Sequence, residues 1–488
     1  MENKSNIIVI LGYLYIIIPN LIFFITWCNL PTAIIATLAI SVSFYLLVKN
    51  APKIWVPTTK KEWYLIGAVL LISIIWVLLS GVGGYMFQNG DHSARNALLE
   101  LLTKKSWPVV YNEYQAMLSY YVGFFLPSAL VAKMFKSLNI GFFFQFCWAI
   151  LGVFTFFYLL LAHFKQKNIF PIILFIFFSG LDVLGMYIIH GANFSYTPQA
   201  HLEWWTYHQY SSMTTQLFWV FNQAIPAWVV VSLFLHEKNN KSLVFLYVCL
   251  FINSTLPAMG LLPFLIYFMI KNDTSTIKEV FTFNHIKKVF IDALSIQNLV
   301  GVFILFPVLY LYLTANFLSS NVHMGDYVYY TYMKQKINHL IILRFWIIEV
   351  GIFLFCILRY NFKNVIYWMV FILFCLFPYL RISDSPDFEM RASIPALVFL
   401  YLLVVETIQN KEFLKNKVLS TILFTALLIG AVTPFNEIGR CLLNTKYNGS
   451  SNRLEYTDLD IVYKHVTYYS SLRNNKFYKY FAKKNIKN

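Results

Sequence analysis

Three polar islands interrupt an otherwise oily chain, and each carries side chains able to do chemistry. The first, residues 86–115 (MFQNGDHSARNALLELLTKKSWPVVYNEYQ), holds Asp91, His92, Arg95, Glu100 and Glu113. A carboxylate such as Asp91 can take a proton from an attacking hydroxyl if it stays ionised and keeps one lone pair clear. Beside it, His92 and Arg95 offer donors to a polar or anionic ligand. The second island, residues 190–215 (HGANFSYTPQAHLEWWTYHQYSSMTT), sets Glu203, Trp204 and Trp205 among His201, His208 and several tyrosines. Aromatic rings stack on the apolar face of a pyranose while a carboxylate accepts from its hydroxyls, so this trio suits a sugar; the alternative is an aromatic belt at the headgroup level. His201, Glu203 and His208 match no established metal-ligand spacing. The third island, residues 381–392 (RISDSPDFEMRA), puts Asp384, Asp387 and Glu389 between Arg381 and Arg391. Arginine grips phosphate bidentately, and Arg391 stands just before a new apolar run, at the depth of a lipid phosphate. The alternative there is a solvated interhelical loop.

Helices must hold these groups. After Asp91, apolar residues at Ala94, Ala97, Leu98, Leu101 and Leu102 line one helical face, which predicts a helix along the membrane surface with Trp107-Pro108 ending it. Asp91 then stands at the helix start, either as an N-cap to the first-turn amides or as a base facing a lipid-borne substrate. Asn222 and Gln223 lie inside an apolar span, where bare amides are costly, so both are expected to face the protein interior or a cavity. Arg344 and Glu349 are five residues apart on another span, off one face, so each is expected to pair with a different helix.

With 59% hydrophobic and 12% charged residues over 488, the chain is excluded from the soluble globular class and reads as an all-α polytopic membrane protein of the cell membrane. The formal charge of +16 gathers in short loops between spans, which argues for orientation and anionic headgroups and against nucleic acid. Six scattered cysteines without a C-x-x-C pair read as small core residues. Apolar segments fall at 6–27, 31–48, 64–85, 116–131, 141–161, 169–189, 217–235, 243–270, 299–314, 340–358, 365–380, 393–408 and 419–434, about thirteen in all. They form a transmembrane domain over 1–434, with a polar tail over 435–488.

Basic loops at 49–61, 278–288, 359–363 and 411–417 mark the cytoplasmic side, which puts Asp91 outside. Lys133 with Lys136 and Lys165 with Lys167 flank a single span, so one pair breaks that rule. Simple alternation also places the second island inside, unless a crossing before it has been counted in error. Residues 243–270 suit one tilted helix or two short ones divided at Asn253-Ser-Thr-Leu-Pro257 and Gly260-Leu-Leu-Pro263, and Ser179-Gly180 is a similar weak point; such breaks are tolerated at membrane depth only where protein or a cavity covers the freed backbone.

The Asp91 loop, its helix and the entry Tyr-Tyr-x-Gly-Phe-Phe-Leu-Pro-Ser-Ala-Leu-Val-Ala-Lys at residues 120–133 resemble the GT-C class of polytopic membrane glycosyltransferases. The resemblance implies a GT-C-like bundle of about 11–13 transmembrane helices with surface helices in the first external loop. It implies inverting transfer of a sugar from a polyprenyl-phosphate donor to a lipid, glycan or protein acceptor, with Asp91 as catalytic base. The substrate-binding set is then His92, Arg95, Glu203, Trp204, Trp205, Asn222, Gln223 and Arg391, with membrane lipids and the lipid-linked sugar as partners. Many members carry two acidic residues together, whereas here His92 follows Asp91. No metal ligand is assigned, and a divalent metal is the one cofactor left open. The rival readings are a lipid-linked oligosaccharide flippase and a surface-polysaccharide polymerase or ligase.

Overall fold

The computed structural model describes residues 4–112, 114–164, 167–191, 201–271, 282–315, 338–380, 387–454, 469–473 and 475–484. Glu113, Lys165, Arg381 and Asp384, together with residues 192–200 of the second island, lie outside them. Helices α1 (Ile7–Trp27) and α2 (Leu30–Asn50) form a hairpin in which Asn29 caps α2 by accepting from the Thr32 amide at 3.1 Å. A Thr59–Glu62 capping box starts α3 (Lys60–Leu79). Strand β1 (Lys4–Ser5) pairs with β2 (Ile54–Trp55), so the start of α1, the end of α2 and the start of α3 share one end of the bundle, here the basic end. The other end, where α3 stops, is the loop end.

The loop after α3 holds α4 (His92–Lys104), strands β3 (Val110–Tyr111) and β4 (Ala116–Leu118), and α5 (Leu126–Met134). The sequence expectation of a crossing at 116–131 is therefore corrected. Its first residues are a strand, and the nine residues of α5 rise only about 14 Å, too little to span hydrocarbon. Apolarity alone did not distinguish a segment buried by protein from one buried by lipid. Helix α6 (Leu138–His163) starts beside the loop, where Tyr85 packs on Phe146 at 5.2 Å, and ends where the Tyr158 hydroxyl donates to the Trp55 carbonyl at 3.3 Å. Lys133 and Lys136 are thus at the loop end, whereas Lys167, whose ammonium lies 5.6 Å from the Trp55 ring, is at the basic end. Removing one crossing also carries the second island to the loop end.

Two of these helix breaks are present, at 177–181 and 251–254, while Gly260-Leu-Leu-Pro263 lies inside one continuous helix. Helices α7 (Phe170–Ile176) and α8 (Asp182–His190) flank a non-helical stretch at 177–181. After α9 (Met213–His236), α10 (Leu243–Leu250) and α11 (Thr255–Lys271) fold back as a hairpin, with the Asn240 amide bonded to the Met269 carbonyl at its open end. Freed backbone groups at the tip are satisfied: the Cys249 carbonyl accepts from Asn20 at 2.8 Å, and the Ile252 carbonyl from the Gly123 amide at 2.9 Å.

The chain continues through an amphipathic helix α12 (Phe283–Ala293), then α13 (Ile296–Leu313), α14 (His339–Asn361), α15 (Val365–Leu376), the short α16 (Asp387–Ala392), α17 (Ile394–Ile408), α18 (Lys417–Gly430) and α19 (Val432–Asn444). Helices α13 and α14 each contain a π-helical turn, at Gly301–Leu305 and Ile347–Gly351. Among the described residues, eight helices are long and apolar enough to cross a membrane, and four shorter apolar ones accompany them, of which Gly123–Met134 belongs to the loop. The protein is a multi-pass helical membrane bundle, with large apolar side chains such as Leu30, Ile34, Leu38 and Leu428 left exposed as a lipid-facing surface requires.

The tail joins the loop end. Strand β5 (Tyr469–Ser471) pairs antiparallel with β4 to complete the sheet β3-β4-β5. The Asn29 amide donates to the Phe481 carbonyl at 2.7 Å, and the Arg453 guanidinium donates to Asn139 at 3.0 Å and covers the Phe142 ring.

One close approach seats α16. A Cβ on Gly260 of α11 would collide with the Ala392 carbonyl, so only glycine lets the two helices meet there. Gly260→Ala is expected to destabilise the protein by about 1–3 kcal/mol, the usual cost of overpacking, and to show as a lower melting temperature in detergent. An unchanged melting temperature would mean that α16 is free to shift.

Candidate functional site

Asp91 does not cap α4: its carboxylate makes no bond to the first-turn amides. Instead its Oδ2 accepts from Arg95 Nη2 at 3.2 Å, one helical turn on, while Oδ1 has no partner among the described residues. The aspartate side chain is 46% exposed, and the arginine is buried. Arg95 is held by three contacts: Nε donates to Asn222 Oδ1 at 3.1 Å, Cζ lies 5.6 Å from the Phe221 ring, and Nη2 takes Asp91. Its Nη1 is buried with no partner among the described residues.

Arg391, two residues beyond Glu389 on α16, completes the group. Its Nη2 binds Asp387 Oδ1 at 3.0 Å, its Nε is buried without a partner among the described residues, and it feels the Tyr121 and Tyr120 phenols and the Asp91 carboxylate. Tyr120 and Tyr121 pack ring against ring at 3.8 Å and belong to the same entry segment that follows β4. Burial works to raise the pKa of Asp91, but Arg95 and then Arg391 outweigh it and hold the carboxyl below its usual range. Burial works against the charge on Arg391 as well, and the surrounding phenols and carboxylates more than compensate.

Asn222 Nδ2 and both polar atoms of the next side chain along α9, Gln223, are fully buried with no partner among the described residues. Such amides are expensive in a span unless something else binds them. Asp91, Arg95 and Asn222 therefore form one cluster, in which a half-exposed carboxylate pairs with one guanidinium and feels the charge of a second, Arg391, and each guanidinium keeps an N–H without a partner among the described residues.

His92 stands apart from this cluster. Its Nε2 meets the Phe218 carbonyl at 2.9 Å and its ring stacks on Phe221, so it clamps α4 to α9. Burial pushes the imidazole down to about 4, which keeps it neutral.

The second island is likewise divided. Glu203 is buried, with Oε2 accepting from Gln209 at 2.7 Å and Oε1 from the Ser212 amide at 2.8 Å. Trp205 is buried with its indole N–H on Glu349 at 2.9 Å, whereas Trp204 is 63% exposed and packs edge-on against His201 at 4.6 Å and Trp219 at 5.8 Å. Of the aromatic pair, only Trp204 presents an open face. His201 Nδ1 pairs with Glu437 at 2.8 Å, and His208 Nδ1 pairs with Glu389 at 2.9 Å. Among the described residues no group of three or more His, Cys, Asp or Glu is arranged to hold a metal ion.

The islands are nonetheless knit together through α16. Glu389 ties the helix to the second island through His208 and the Gln209 amide, and Arg391 carries a positive charge that Asp91 of the first island feels. Sequence reading missed Glu437 on α19, which binds His201, Arg440 at 2.7 Å and Trp219 at 3.0 Å. It lies just past the last apolar segment, where nothing local marked it. A separate cavity of about 370 Å³, lined by His163, Tyr267, Lys271, Asn364 and Glu406, is at the basic end, away from Asp91. No protein-family model, curated protein or solved structure matches the chain.

Proposed function

We propose that the protein is a membrane glycosyltransferase acting on a polyprenyl-phosphate sugar, with Asp91 as general base and with Arg95 and Arg391 facing the phosphate. The observation that carries the reading is the carboxylate paired with one guanidinium and within the field of a second, each with a buried N–H unpartnered among the described residues. Asp91 takes the proton of an acceptor hydroxyl as that oxygen bonds the anomeric carbon. The bond from that carbon to the phosphate oxygen breaks, and its electron pair leaves with the phosphate. Two fixed cations suit that step, because charge develops on the phosphate as the bond breaks. Asn222 and Gln223 supply amides for the sugar hydroxyls, and Trp204 supplies the exposed ring.

Purified protein in proteoliposomes with a polyprenyl-phosphate sugar and an acceptor tests the reading. Donor-dependent transfer is expected, and lipid-linked sugar crossing the bilayer unchanged would favour the flippase instead. The broken α7–α8 segment and the carboxyls beside it are what favour that second reading. With its carboxyl held below the usual range, Asp91 stays ionised through acidification, so transfer is expected to persist from about pH 7 to about pH 5. A fall centred near neutral pH would point to a different base.

A further inference from the structure

The cavity at the basic end has no part in the transfer chemistry, yet it carries the features of a binding site. Helices α6, α9, α11 and α17 end around it at His163, His236, Lys271 and Ile408, and α15 begins there behind its cap, Asn364. Its volume of about 370 Å³ falls among ordinary small-molecule sites, which run from about 300 to about 1,000 Å³.

The lining carries both signs of charge. From α17 comes Glu406, half-exposed, whose Oε1 meets His163 Nε2 of α6 at 3.2 Å. The His163 ring is steadied in turn by the His236 ring, edge-on at 6.3 Å, and His236 Nε2 is itself on the Leu159 carbonyl at 2.9 Å. One carboxylate oxygen is thereby oriented, and the second is left for a donor. The last carbonyls of α6 and α17 add partial negative charge beside it. From α11 comes Lys271, whose Nζ donates to the Tyr267 hydroxyl at 2.6 Å and lies 5.2 Å from that ring. Asn364 Oδ1 accepts from the Ile366 amide at 3.0 Å, so Nδ2 is the end of its amide left to donate. The first-turn amides of α15 add partial positive charge there. Further back along α11 and α17 the lining turns apolar, at Phe268, Phe399 and Leu402. A bare ion would gain nothing from that wall, whereas a charged headgroup on a hydrocarbon chain matches both parts.

We propose that this cavity binds a zwitterionic phospholipid of the phosphatidylethanolamine type, with Glu406 taking the ammonium, Lys271 and Asn364 taking the phosphate, and the first carbons of the acyl chains lying on Phe268 and Leu402. A purely anionic headgroup would leave Glu406 facing a like charge, and a purely cationic one would do the same to Lys271. A headgroup with both charges satisfies each by a charge-assisted hydrogen bond. A lipid seated there ties together the ends of helices that otherwise part at the membrane surface, so its binding stabilises the folded bundle. The cavity is away from Asp91, and its ligand is independent of the transfer reaction.

The test reads the melting temperature of full-length protein in detergent with added dioleoylphosphatidylethanolamine, dioleoylphosphatidylglycerol or phosphorylethanolamine. The glycerol lipid keeps the phosphate and the chains without the ammonium, and phosphorylethanolamine keeps the headgroup without the chains. The ethanolamine lipid is expected to raise the melting temperature at a concentration about tenfold lower than the glycerol lipid, the worth of one charge-assisted hydrogen bond. Phosphorylethanolamine is expected to leave it unchanged. Glu406→Gln should erase the preference between the two lipids, and Lys271→Gln should weaken the response to both by about tenfold. Both side chains are on the open side of the bundle, so both variants should fold. Equal response of the wild type to the two lipids would overturn the proposal, as would a preference that survives Glu406→Gln or an undiminished response in Lys271→Gln. A rise with phosphorylethanolamine equal to that with the whole lipid would overturn it in favour of a soluble zwitterion. The wild-type comparison needs no variant, so it decides even if a substitution fails to fold.

Discussion

Asp91→Asn is expected to cut donor-dependent transfer by about 10²–10⁴-fold, the usual contribution of a general base, while the protein still folds. Asparagine keeps the size of the side chain and an oxygen for Arg95 but cannot accept a proton. Arg95 retains Asn222 and the Phe221 ring, so the helix contact between α4 and α9 survives. The broken ion pair is half open to solvent and is expected to change stability by less than about 1 kcal/mol. Transfer and the melting temperature of the same preparation should therefore separate. Activity near the wild-type level would remove Asp91 as the base, whatever its surroundings.

Arg391→Ala is expected to slow transfer by about 10²–10³-fold, the scale seen when one preorganised donor to developing charge is removed. The loss should fall on kcat, because the phosphate gains charge as its bond to the sugar breaks. Arg391→Lys keeps a cation but not the planar fork, and is expected to recover part of the rate. Asp387→Asn is the control. It breaks the 3.0 Å ion pair that holds Arg391 from its exposed side and leaves the guanidinium in place. If Arg391→Ala and Asp387→Asn behaved alike, the arginine would matter for the packing of α16 and not for the phosphate.

Sequence made the Asp91 group legible because it is built from rare residues in oily surroundings. An acid at the start of a helix, an arginine one turn on, two amides in a span and an arginine before another span each stood out against their neighbours. The breaks at Ser179-Gly180 and Asn253-Ser254 were legible for the same reason. What could not be read was which apolar segments meet lipid. Residues 116–131 are apolar because β4 is covered by β5, from chain far away in sequence, and α5 packs against its neighbours α4 and α6. The roles of the paired tryptophans were equally hidden. Trp204 and Trp205 are neighbours with the same side chain, and the approach of α8 at Gly185 and of Phe345 and Glu349 from α14 buries one and leaves the other open. Glu349 itself was expected to find a partner on another helix, and it found the Trp205 indole.

The sheet at the loop end sets an order of events. Ser119 and Ser470 share a hydrogen bond at 2.8 Å across 351 positions of chain, and the strand that flanks the Tyr120–Tyr121 entry is paired on one side by β5. When a nascent chain enters the bilayer, the loop with Asp91 is delivered early, but its covering strand follows only after α19 has been threaded. Until then β4 carries an open edge, and the entry segment beside Arg391 is held on one side alone. The constellation that faces the phosphate is thus finished late, by material made last among the described strands, so a partly synthesised chain does not present a complete site to the lipid pool around it.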